Sequence, residues 1–273
     1  MTSIAENVTS DFRIFPTLKL ALSIVLKHYI PFTLLAFLYQ LPNLLNIFYG
    51  PGNYDFFSPD LYFNLKYGAV ILGFILINYA LNIIITRVTF QNLTGIKTGL
   101  VNCLVSHSLK KSSLIFLGII YVLHSGLKVL VIVSYSYMNM EPSTMVTIIQ
   151  FLSLLAFITA IFFYVLIPVL IIEKLSIKGS LKKSLELSKG NYLSIVGILL
   201  FTIVLKYILQ TIYQLLLTMN FLPITGSEIA IIVPGMIEAF TFVYSIVIVT
   251  VSYHFLILSK EPKSTNQVAA VFD

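Results

Sequence analysis

Residues 171–201 read IIEKLSIKGSLKKSLELSKGNYLSIVGILLF. An apolar run stops at Glu173, a lysine-rich polar stretch follows, and a second apolar run begins at Tyr192 with no spacer. Inside the polar stretch Ile177, Leu181 and Leu185 recur at steps of four, with lysines off that row. This spacing predicts an amphipathic helix. A helix of this kind between two apolar runs is expected to lie in the plane of a membrane surface. Its cations then face headgroups and its apolar row faces the acyl boundary. Lysine suits that place because its stem lies along apolar surface while its ammonium stays hydrated.

The composition agrees with that reading. Apolar residues make up 58% of the 273 residues and charged residues only 10%, with a mean hydropathy of +0.95. A soluble domain carries about a quarter charged residues, so this chain is expected in a bilayer. Residues 1–13, MTSIAENVTSDFR, hold no apolar signal core, so no removable signal peptide is expected. Cys103 stands alone, which excludes a disulfide framework and a thiolate cluster; it reads as a small apolar filler. The net charge of +6 comes from lysines beside apolar runs without interleaved aromatics. Anionic lipid is therefore the expected partner, and nucleic acid is not.

Six runs are long enough to cross a bilayer as helices, at roughly 30–49, 67–86, 112–135, 146–172, 192–218 and 229–257. Alternating ten-residue segments of barrel type are missing, so the expected fold is an all-α integral membrane protein of six spans. One membrane domain covers 1–263, with a short tail over 264–273. The connections alternate in charge. Arg13, Lys19 and Lys27; Arg87, Lys97, Lys110 and Lys111; Lys174, Lys178, Lys182, Lys183 and Lys189; and Lys260 and Lys263 fall on one side, against Lys66 on the other. The positive-inside bias then puts both termini in the cytoplasm, in a cell inner membrane.

The basic amphipathic pattern occurs three times, over about 14–28, 95–111 and 176–189, each running into a span. Three parallel pseudo-repeats are expected, each an in-plane helix followed by a span out and a span back. Gly190 and Asn191 are placed to end the third in-plane helix, since glycine takes positive φ at no steric cost. Pro31 suits the first turn of the span after the first one. Tyr29 and Tyr192 are expected to anchor at headgroup depth.

Pro168, Glu173 and the run Ser180-Leu181, Ser184, Leu187, Lys189, Gly190, Asn191 carry a family resemblance. They resemble the membrane domain attached to some bacterial glycerophosphodiester phosphodiesterases, and the related stand-alone, YciC-like six-span proteins. The resemblance implies the fold and the membrane setting. It implies neither a catalytic site nor a substrate.

Candidate functional residues fall in two groups. Lys97, Lys110, Lys111, Lys178, Lys182, Lys183 and Lys189 are expected to contact lipid headgroups. Asn78, Asn82, Lys128, Lys206, Gln210 and Glu238 are expected to form a buried polar cluster, because charges at depth cost at least about 2.5 kcal/mol each and turn toward a partner or cavity. That cluster can be glue between spans, a snorkelling lysine, or a cavity for an anionic headgroup. Glu173 is expected to pair locally with Lys174 or Lys178, or across the fold with Arg87. His28 and His107 are expected to be solvated.

Motifs for zinc hydrolysis, serine hydrolysis or phosphate cradling are missing, and no metal or cofactor is expected. The reading is a non-catalytic membrane protein that binds anionic lipid, or serves as accessory subunit or scaffold to a membrane-protein partner. The alternative is a transporter or channel for a small solute or lipid, using the Lys/Glu cluster. A transport site would be expected at interrupted spans, and the prolines read as interrupting a span are Pro42 and Pro234 alone, which counts against this alternative. An accessory role in small-peptide export is compatible in length and topology alone.

Overall fold

The computed structural model describes residues 12–49, 61–95, 142–173, 175–218 and 227–260. Every regular element among them is an α-helix. In chain order these are α1 Ile14–Lys27, α2 Tyr29–Tyr49, α3 Leu61–Thr94, α4 Pro142–Phe162, α5 Leu166–Ile172, α6 Ile177–Ser188, α7 Tyr192–Thr218 and α8 Ser227–Lys260.

Among the described residues two straight helices, Tyr192–Thr218 and Val233–Lys260, are long and apolar enough to cross a membrane. At 1.5 Å per residue each is about 40 Å long, which exceeds a hydrocarbon core of about 30 Å. Two bent pairs bring the number to four if each counts as one span. The expected third span, and with it Lys128, lies outside the described residues. So do the in-plane helix over 95–111 beyond Gly95 and its Lys97, Lys110 and Lys111.

Both bends have a proline as their cause. A proline lacks an N–H and its ring clashes with the carbonyl four residues back. Pro31 faces Lys27, the last residue of α1, and α1 meets the start of α2 at 90°. Pro168 faces Tyr164, and α4 and α5 meet at 46° across Phe163–Val165. The turn there closes tightly, with the Leu166 N–H donating to the Phe163 carbonyl at 3.0 Å. α2 and α8 run through Pro42 and Pro234 as continuous helices. The bends fall at Pro31 and Pro168 instead.

α3 also differs from expectation. It continues past residue 86 to Thr94 and ends at Gly95, whose φ of 76° no ordinary residue favours. No glycine or proline lies between Ile84 and Thr94 to stop it earlier. Arg87 is therefore a helical residue, only 3% exposed, rather than a loop cation.

α8 is the centre of the bundle and packs against α1, α2, α3, α5, α6 and α7. The core joins Ala21 and Val25 of α1, Ile85 and Phe90 of α3, Val169 and Ile172 of α5, and Val247, Val251 and Leu256 of α8. α7 is peripheral and leaves Leu200, Val204, Tyr207, Ile208 and Leu215 exposed. An exposed apolar row on a long helix is what a lipid-facing surface requires. In lipid such a core gains from close packing rather than from transfer out of water.

Candidate functional site

The ends of α3, α5 and α8 meet α6 and the α1–α2 corner at one end of the bundle, and polar contacts hold them there. His28 Nε2 lies 2.9 Å from Asn92 Oδ1 near the end of α3, and the Lys27 ammonium reaches the same oxygen at 3.5 Å. His28 is thus engaged with α3 rather than solvated. The Tyr244 hydroxyl of α8 donates to the Leu18 carbonyl of α1 at 3.2 Å. The Tyr253 hydroxyl donates to Glu173 Oε1 at 2.8 Å. Nothing in the local spacing of the sequence points to that partner. Arg87 is buried on α3, the helix that packs on α5.

α6 is positioned at both of its ends. At its start the Ser176 side chain accepts from the Gly179 N–H at 3.2 Å, an N-cap. At its other end Gly190 turns the chain with φ 86°, and Asn191 precedes α7, its carbonyl accepting from the Ile195 N–H at 3.0 Å. The Lys260 ammonium, from the end of α8, donates to the carbonyls of Glu186 and Lys189. Those are the carbonyls a helix end leaves without partners, and a cation there also meets the negative end of the helix dipole.

The face that α6 turns to the bundle is not its apolar row. Ser180, Ser184 and Ser188, at steps of four, are fully buried together with Leu187. Small side chains at that spacing let helices approach closely. Ile177 and Leu181 are only partly buried, and Leu185 is exposed. Lys178, Lys182 and Lys189 are exposed, while Lys183 is partly buried. Lys182 also lies 3.9 Å from Glu186, one turn away. α1 repeats the arrangement. Thr17, Leu18, Ala21, Ile24 and Val25 are buried, and Phe15, Leu22 and Leu26 are exposed on the face that carries Lys19. Tyr29 stands exposed at the corner, and Tyr192 packs edge-on to Phe162 at 5.6 Å.

The expected polar cluster divides. Lys206 of α7 and Glu238 of α8 form an ion pair at 3.3 Å, with side chains 40% and 42% exposed. Gln210 lies one turn beyond Lys206 and is partly buried. Asn78 and Asn82 are buried on α3, where the Asn82 amide donates to the Asn78 carbonyl at 2.9 Å.

Asn82 instead lines a cavity of about 220 Å³, together with Thr86, Tyr164, Ile167, Pro168, Phe242, Ser245, Ile246 and Val249. Its walls are α3, the α4–α5 break, α5 and α8. The Ser245 hydroxyl donates to the Phe242 carbonyl at 2.7 Å, and the Tyr164 hydroxyl lies 3.2 Å from Ser252 Oγ. The buried Thr86 hydroxyl has no partner. Pro168 carried the signal for this site, because its position fixes the break at Tyr164. Among the described residues no group of three His, Cys, Asp or Glu side chains gathers as metal ligands. No family model, curated protein or solved structure matches the chain.

Proposed function

We propose that the chain is a non-catalytic, multi-pass inner-membrane protein that holds anionic lipid against in-plane helices on its cytoplasmic face. The distribution of side chains around α6 carries this reading. At 100° per residue, Lys178, Lys182 and Lys189 fall within about 40° of one another, directly beside the Ile177–Leu181–Leu185 row. The serine row anchors the opposite side to the bundle. The free surface of α6 is thus a half-exposed apolar edge bordered by three lysines, which suits the boundary between acyl chains and headgroups. α1 presents the same combination through Phe15, Lys19, Leu22 and Leu26. Lys183, on the other flank and partly buried, is less suited to headgroup contact than the three exposed lysines. Held in this way, lipid would place the protein as an accessory or scaffolding subunit at an anionic membrane surface.

Native mass spectrometry of the detergent-extracted chain, titrated with phosphatidylglycerol and phosphatidylcholine, tests the reading. Each surface lysine adds about 1 kcal/mol of attraction to anionic lipid, so replacing Lys178, Lys182 and Lys189 by Gln should weaken phosphatidylglycerol binding roughly a hundredfold. Phosphatidylcholine binding should stay the same. Unaltered phosphatidylglycerol binding by the triple variant would reject the proposal.

The alternative, transport through the Lys/Glu cluster, gains less support. Lys206 and Glu238 satisfy each other across α7 and α8, and neither lines the cavity.

A further inference from the structure

The cavity at the α4–α5 break shares no lining residue with the lysine surface of α6. Thr86 lies about 12 Å from the end of α3, and Val249 about 16 Å from the end of α8, by the helical rise. The site thus combines an interrupted helix and a cavity, two of the features by which membrane proteins build solute sites.

We propose that this cavity binds a small uncharged solute that both donates and accepts hydrogen bonds. The Thr86 hydroxyl is buried without a partner, and a buried polar group left unmet is costly. The Asn82 amide stands one turn before Thr86 on α3. All the lining side chains are uncharged. Glu238, one turn before Phe242 on α8, is bound to Lys206. An ion entering such a site would lose its hydration with no charged side chain in the lining to offset the loss. A volume of about 220 Å³ is several times the roughly 30 Å³ share of a liquid water and below the roughly 300 Å³ at which drug-sized sites begin. The fitting guest is a compact amide, urea or polyol.

The chain has no tryptophan, so Phe242→Trp places a single indole in the cavity wall. The full chain carrying it is reconstituted in liposomes and quenched separately by acrylamide, iodide, caesium and brominated lipid. Acrylamide is itself a compact neutral amide. It is expected to quench several-fold more strongly than either ion or the brominated lipid, and Thr86→Val added to that background should cut its effect several-fold. Equal quenching by iodide would show an open aqueous cleft, and quenching by brominated lipid alone would show a groove filled by acyl chains. Either result, or no quenching by acrylamide, overturns the proposal. If Phe242→Trp does not fold, Ile246→Cys in a Cys103→Ser background replaces it. Neutral thiol reagents should then react several-fold faster than charged ones of the same size, and equal rates overturn the proposal.

Discussion

The Tyr253 hydroxyl of α8 donates to the Glu173 carboxylate at the end of α5, 2.8 Å away and eighty residues distant in the chain. This bond ties α5, beyond the break, to the central helix. Tyr253→Phe removes the hydroxyl and keeps the ring against Phe90, whose centroid is 5.9 Å away. A hydrogen bond to a charged group contributes about 1.5–3 kcal/mol, and the variant should lose about that much in denaturant unfolding in detergent. The loss should shrink in a Glu173→Gln background. Fully additive effects of the two substitutions would show that the contact carries no coupling.

Lys206 and Glu238 make a half-exposed charge pair between α7 and α8. In lipid an isolated charge near the middle of a helix costs about 2.5–3.5 kcal/mol. Glu238→Leu and Lys206→Leu should each lower thermal stability in a reconstituted bilayer. The double substitution should restore most of the loss, because no unpaired charge remains. A double variant no better than the worse single one would show that the pair has a role beyond mutual neutralisation.

Legibility from sequence followed the range of the cause. α7 occupies Tyr192–Thr218 because a long apolar run determines a helix locally, and Gly190 ends α6 because positive φ is a local demand. The amphipathic row of α6 was visible as well, yet it is the serines at the same spacing that face the bundle. Hydropathy ranks leucine as the buried residue, but between helices in lipid close approach favours small side chains. The break at Phe163–Val165 also had a local signal, a proline four residues after Tyr164. It was masked by the long apolar run that made the segment read as one span. The contacts Tyr253–Glu173, His28–Asn92 and Lys260 to α6 join residues more than sixty positions apart. Nothing in a single sequence pairs them.

Gly190 tests the corner between α6 and α7. Its φ is 86°, and a Cβ built there meets nothing within 4 Å. The cost of Gly190→Ala is then purely conformational, about 1–2 kcal/mol for a left-handed residue with a side chain. Gly190→Asn should cost less, since asparagine tolerates that region. The measurement is unfolding in detergent, with protease cleavage after Lys189 as a local probe. Equal stability of the alanine and glycine forms would mean that the corner relaxes into another conformation.

Lys260 tests whether the end of α8 holds α6 in place. Its ammonium reaches the carbonyls of Glu186 and Lys189, and the second of these bonds is 2.6 Å long. A cation at a helix C-terminus contributes about 0.3–1 kcal/mol, and more in partly buried geometry. Lys260→Met keeps most of the apolar stem and removes the charge and its donors. Global stability should fall by no more than about 1–2 kcal/mol. The local effect should be larger, because the last turn of α6 has two carbonyls to lose. Amide hydrogen exchange is expected to quicken over Leu187–Lys189 while α8 up to Leu258 is unaffected. Lys260→Arg, which restores a cation with several donors, should return exchange close to the wild-type rate. Faster exchange spread evenly over α6, α7 and α8 would instead mean that Lys260 supports the whole bundle.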